Sequence, residues 1–101
     1  EIRVGRVLRA EEFPDARKPA LKLWIDFGDQ GTRTSSAQIT RRYRPADLVG
    51  RQVLAVTNFP PRRVAGFDSQ VLVLGAVPDS EGGDVILASL DAEAPPGTRV
   101  L

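Results

Sequence analysis

The residues best equipped for chemistry lie in one stretch, "NFPPRRVAGFDSQVLVLG", from Asn58 to Gly75. Pro60 and Pro61 fix φ and remove two backbone donors, so the preceding strand must stop and the connection stiffens. Arg62 and Arg63 then stand on a rigid support. Gly66 permits a tight reversal, and Phe67 brings a ring back before Ser69. Such a set suits binding rather than bond-making: guanidinium groups hold anions, and flat rings stack on flat ligands. Stiffness lowers the entropy lost when a ligand docks. The plainer alternative is a proline-braced connection with solvated arginines and Phe67 closing one end of the core.

Catalytic chemistry has little to work with. The 101 residues include no histidine and no cysteine, which removes the commonest general base, the thiol nucleophile and the commonest metal ligands. Ser-His-Asp and Cys-His triads cannot form. Lys18, Lys22, Tyr43 and the carboxylates follow no spacing that marks a site. The expectation is therefore no enzyme, no catalytic residue, no metal and no cofactor. No phosphate-cradling glycine loop is present to use ATP. No apolar run approaches the roughly 20 residues a membrane helix needs, so no membrane insertion is expected and a cytoplasmic protein is the default.

Charge is uneven. Residues 1–66 carry 13 Lys/Arg against 7 Asp/Glu, whereas residues 67–101 carry one arginine against 6 acids. Read for function, the first two-thirds offer a basic surface to an anionic partner; read plainly, this is a solvated surface.

The elements that would position these residues are short strands. "IRVGRVLRA" places Ile2, Val4, Leu8 and Ala10 on one side, with a phase fault at Gly5–Arg6 that suggests a bulge or bend. "LKLWIDFG" alternates cleanly: Leu21, Leu23, Ile25 and Phe27 face inward, Lys22, Trp24 and Asp26 outward. "GDQG" turns into "TRTSSAQI", a polar strand. Pro45 and Gly50 bracket a short helix. "RQVLAVTNF" is a strand, and the apolar run in "SQVLVLGAV" suggests one buried on both faces. "VILASL" and "TRVL" follow as short strands. Residues 1–101 are expected to form a single domain. Five or six strands with one helix between strands 3 and 4 predict an all-β, five-stranded barrel of the oligonucleotide/oligosaccharide-binding kind (OB-fold), with additional C-terminal strands; a β-sandwich is the rival.

The runs "RKPALKLWIDFG", "SSAQITRRY", "GRQVLAVTNFPPRRVAGFDSQVLVLG" and "PPGTRV" resemble the CsaA family of small export-related bacterial chaperones, a branch of the wider family of tRNA-binding domains. The resemblance spans nearly the whole chain and is most specific from Asn58 to Gly75. It implies the OB-fold barrel, a homodimer, binding to unfolded secretory precursor proteins, and affinity for tRNA. It also implies that Asn58, Pro61 and Ser69 carry over the RNA-site pattern of the tRNA-binding relatives.

Two ligands then divide the candidates. RNA needs cations for phosphate and polar groups for base edges and 2′-hydroxyls. Lys18, Lys22, Arg33, Arg41, Arg42, Arg62 and Arg63 supply the first, and Ser35, Ser36 and Asn58 the second. An unfolded polypeptide needs exposed apolar surface, for which Phe13, Trp24, Phe59 and Phe67 are the candidates. Dimerisation is expected through Ile2, Val4 and the tail near Val100; the alternative is that the tail closes its own barrel.

Overall fold

The computed structural model describes residues 1–101. Strands β1 (Ile2–Glu12), β2 (Leu21–Asp26) and β3 (Thr32–Ala37) form an antiparallel meander. Helix α1 (Pro45–Leu48) follows, and β4 (Gln52–Val56) returns to pair with β1. Strands β5 (Arg62–Val64) and β6 (Phe67–Ser69) make a separate hairpin. Then β7 (Leu72–Val73) pairs with β4, β8 (Gly75–Ala76) with β9 (Ile86–Leu87), and β10 (Arg99–Val100) with β1. The main sheet runs β3-β2-β1-β4-β7. The amides of Gln70 and Val71 both donate to the Thr34 carbonyl, at 2.8 and 3.2 Å, and curl the sheet back on itself. This is the expected OB-fold barrel, with α1 in the expected place between β3 and β4.

Parity in β2 builds the core. Leu21, Leu23, Ile25 and Phe27 are all fully buried, and they pack with Val7, Ile39, Leu48, Val53, Ala55 and Val71. Asp47 closes the start of α1 by accepting from the Arg44 amide at 2.9 Å, and Pro45 begins the helix where no donor is needed.

Two sequence expectations are corrected. In β1 the pairing shifts register between Val7 and Arg9, so the bulge lies at Leu8, whose side chain is exposed. Gly5 is instead a point of close approach: a Cβ there would stand 2.4 Å from Ile25 Cγ2 and 2.7 Å from the Phe27 ring. Gly5 and Val7 therefore face the central core, and Ile2 and Val4 lie on the other side of the strand, where Val4 is nonetheless buried. The second correction concerns "SQVLVLGAV". Val71 is buried, but β7 has a strand partner only in β4, and Leu72 is 49% exposed on this edge. The run is apolar without being sandwiched on both faces.

The Asn58–Ser69 segment is more ordered than a loop. Its hairpin turns through Ala65 (φ 46°) and Gly66 (φ 82°), the paired positive values of a type I′ turn, whose twist suits two antiparallel strands. Pro60 and Pro61 immediately precede β5 and blunt its free edge.

The edge of β1 is shared. Its later residues pair with β2, and its first residues pair with the tail, Ile2 opposite Val100 and Arg3 opposite Arg99. The Val4 amide donates to the Thr98 carbonyl at 2.9 Å, and the Val4 carbonyl accepts from the Gly97 amide at 2.8 Å. The tail thus closes its own sheet. The register also aligns Val100, Ile2, Val56 and Leu72 in one aliphatic row across β10, β1, β4 and β7, on the outward face.

Candidate functional site

The outward face of β2 and β3 carries the polar half of the alternation. Lys22 stands opposite Ser36, and Trp24 opposite Thr34. The β1–β2 loop rises at one side of this face and the β5–β6 hairpin at the other. Between them lies an open cleft of about 820 Å³, lined by Ala16, Arg17, Lys18, Ser36, Gln38 and the hairpin residues Arg62–Ala65. Four cations line it and no carboxylate does. In OB barrels the strand 2–3 face and the loops after strands 1 and 4 receive extended ligands, and this cleft occupies that position.

The aromatic residues are packed rather than displayed. The rings of Phe13 and Trp24 each meet Phe67 edge to face, with centroids 5.6 Å apart in both pairs. Cations cover the cluster: Arg9 sits 4.5 Å from the Trp24 ring, and Lys22 lies 5.2 Å from Phe13 and 5.6 Å from Phe67. Phe67 therefore ties the hairpin to both the β1–β2 loop and β2, and it fixes one flank of the cleft. Trp24 is half-buried and outward, as parity requires.

Several sequence candidates meet here: Lys18, Lys22, Trp24, Ser36, Arg62, Arg63 and Phe67. Others do not serve as expected. Phe13 is only 5% exposed, so it braces the cluster instead of offering surface. Phe59 lies outside the aromatic pairs. Ser35 is 1% exposed and turned inward between core residues, with no partner for its Oγ. Arg33 shares that inward parity, opposite Ile25, and is off the cleft face. Ser69 is buried, and its Oγ accepts from the Ser36 amide at 3.0 Å, closing the β3 edge. Asn58 is exposed, with its Oδ1 2.5 Å from the Glu1 nitrogen, and Pro61 is exposed; neither lines the cleft. Val4 is 1% exposed within its own chain, which removes it as a contact for a second copy.

Four of the six acids in residues 67–101 pair with cations from the first two-thirds of the chain. Arg42 binds Asp84 through two hydrogen bonds, at 2.6 and 2.8 Å, and Arg41 reaches Asp79 at 3.3 Å. Arg6 meets Glu93 at 3.1 Å, and Arg63 meets Asp68 at 2.7 Å. Hydrogen bonding from Arg42 holds the Asp84 carboxyl below its ordinary range, against an opposing desolvation penalty. Arg6 lowers Glu93 in the same way. Arg17, Lys18 and Arg62 take no such partner and face the cleft. Arg17 and Gln38 were missed by sequence reasoning. The signal for Arg17 was available, since "ARKP" repeats the device of adjacent cations beside proline.

No three carboxylates converge to hold a metal, and no helix is long and apolar enough to cross a membrane.

Residues 2–99 match the family described as "Putative tRNA binding domain", and the chain belongs to that family. Within it, the chain is similar to the crystal structure of the chaperone CsaA from Bacillus anthracis str. Ames, with 57% identity and a TM-score of 0.93 over 99% of this chain and 89% of that one. A second CsaA chaperone structure, from Picrophilus torridus, is 44% identical with a TM-score of 0.90, over 99% of this chain and 90% of that one. The methionine–tRNA ligase of Thermotoga maritima is 38% identical over 101 residues, 99% of this chain and 15% of the ligase. The chain thus spans about 15% of the length of that curated relative.

Proposed function

We propose that residues 1–101 form one tRNA-binding-type domain that works as an ATP-independent chaperone of the CsaA kind, holding unfolded precursor proteins in the cytoplasm before export. The observation that carries this reading is the 57% identity with a CsaA chaperone across 89% of that protein, against 15% of a ligase. The work is binding without chemistry, and release follows mass action. The half-buried Trp24 and Phe67 supply the apolar part of the client site, and the adjoining cleft receives polar groups of the extended chain. A homodimer fits the aliphatic row of Val100, Ile2, Val56 and Leu72: an outward line of side chains on neighbouring strands is self-complementary about a two-fold axis. A dimer would present two client sites and raise avidity.

Aggregation suppression tests this reading. The chain is expected to hold a denatured precursor in solution without nucleotide, at low and high salt alike, and Trp24→Ala is expected to weaken that protection. Aggregation that proceeds unchanged in the presence of the chain overturns it.

A specific observation favours a second activity, the binding of tRNA. The cleft has four cations and no acid among its lining residues, on the face where OB barrels take nucleic acid. A gel shift with bulk tRNA is expected to show binding that weakens steeply with salt and falls when Lys18 or Arg62 is removed. Binding that is indifferent to both residues would place RNA elsewhere.

A further inference from the structure

The cleft does not end at its own rim. Lys18 and Gln38 also line a second depression, which continues past Pro19 and Thr40 to Arg41 and is closed by Glu81, Gly82 and Gly83. Cations therefore line a track from Arg62 through Arg17 and Lys18 to Arg41, with one carboxylate, Glu81, at its far wall; Arg42 follows Arg41 in sequence and lines neither depression. Only its far end is occupied, and by the chain itself. The segment 79–84 folds over it: Asp79 accepts from Arg41 and Asp84 accepts twice from Arg42. The Asp84 amide in turn bonds to Asp79 Oδ1 at 3.3 Å, so the two carboxylates are set together. Gly83 lets the Arg41 guanidinium lie flat against the segment, since a Cβ there would stand 2.6 Å from Arg41 Nη2.

We propose that residues 79–84 are an internal anionic strap that occupies the outer half of the polyanion site and is displaced when a long phosphate chain binds. The inference rests on the tRNA reading of the cleft. Its physical basis is charge: Asp79 and Asp84 present carboxylate oxygens where phosphate oxygens would otherwise sit. The contacts are exposed ion pairs, which water and salt weaken. A ligand that spans the whole track gains two more phosphate contacts and releases their counterions. A ligand that fills only the inner cleft gains nothing from displacing the strap. The strap therefore holds back long polyanions, which must displace it, and leaves the affinity of short anions for the inner cleft unchanged.

The test uses the full chain with bulk tRNA and a trinucleotide as probes. The Asp79→Asn/Asp84→Asn variant is expected to bind tRNA roughly tenfold more tightly, with a salt dependence steeper by the equivalent of about two cations, and to bind the trinucleotide as the parent does. Gly83→Ala keeps the charge and pushes Arg41 off the strap; it is expected to move tRNA binding in the same direction by a smaller factor. Asp29→Asn/Asp91→Asn makes the same change in net charge away from the track and serves as the control. A gain of equal size in the control, or a gain that survives Arg41→Ala/Arg42→Ala, shows a net-charge effect and overturns the strap. Unchanged tRNA affinity in both Asp79→Asn/Asp84→Asn and Gly83→Ala overturns it as well, while parent binding lost in Lys18→Ala would leave the cleft reading standing. Absence of tRNA binding in parent and variants alike removes both. Thermal melts on every variant confirm that a folded chain is being compared.

Discussion

The barrel has two outward faces built on one inward rule. On β1, β2 and β3 the side chains that alternate with the core are Arg9, Lys22, Trp24, Thr34 and Ser36. On β10, β1, β4 and β7 they are Val100, Ile2, Val56 and Leu72. The buried inward residues differ little in kind between the two regions, being aliphatic or aromatic apart from Gly5 and Ser35. What differs is what solvent or a partner meets. One face is charged and aromatic and is flanked by two projecting segments. The other is mainly aliphatic, with Arg6 and Gln52 at its end. Strand periodicity fixes which residues are inside, and the choice of outward residues is then free to specify two different kinds of contact on one small fold.

The two faces separate most clearly when charge is placed on the aliphatic one. Leu72→Asp is expected to convert the proposed dimer to a monomer at micromolar concentration, weakening self-association by about a hundredfold, since its interface would have to bury an unpaired carboxylate. Sedimentation velocity reads the outcome, and a chain that sediments the same with and without the substitution leaves the row without a partner. The monomer's cleft should keep its affinity for a short anionic probe.

The converse experiment reverses charge on the cleft face. Lys18→Glu/Arg62→Glu is expected to weaken tRNA binding by about thirtyfold or more and to flatten the salt dependence by the equivalent of about two cations, leaving sedimentation unchanged. If the oligomer dissociated as well, the two faces would not be independent.

A smaller effect is expected at the joint between the projecting segments. Phe67→Ala removes two edge-to-face pairs and the ring beneath Lys22, and is expected to cost about 1–3 kcal/mol. The loss should be local. Amides of β5 and β6 should exchange faster with solvent, and those of β2 should not. Uniform loss of protection across the barrel would mean that the cluster belongs to the core.

The smallest effect concerns the pins at the barrel's rim. Asp84 and Glu93 are held below their ordinary ranges by Arg42 and Arg6. Because the folded values are lowered, their stabilisation is complete above the unfolded values and is lost as pH falls through the folded ones. The melting temperature is therefore expected to hold steady above pH 5 and to decline below the ordinary carboxylate range, with a shallower decline in Asp84→Asn. A decline beginning near neutrality would point to other groups.

Much of the inward half was legible in the sequence. The alternation "LKLWIDFG" settled β2 and the outward turn of Trp24, and Pro45 with Gly50 framed α1. The outward half was harder, because it depends on residues far apart along the chain. Arg41 and Arg42 read as free cations until the fold brought Asp79 and Asp84 across from the other side of β4. Phe13 read as exposed apolar surface for a client, and its burial depends on Phe67 arriving from a hairpin more than fifty residues later. Ser69 looked like a group for reading RNA and is consumed by a lone strand amide. In β1 two adjacent irregularities, a tight Gly5 and a bulged Leu8, leave the same trace in the pattern. Only the packing against Ile25 and Phe27 separates them.

The prolines ahead of β5 also guard a strand edge. A protein that handles unstructured chains risks becoming the seed on which they stack, because any bare strand edge invites another strand. Pro60 and Pro61 withhold two amides where a guest backbone would begin to zip, and the turn at Ala65–Gly66 ends the strand three residues later. On the proposed chaperone reading, a guest lying against β5 would be held by its side chains, with the backbone pairing there denied to it.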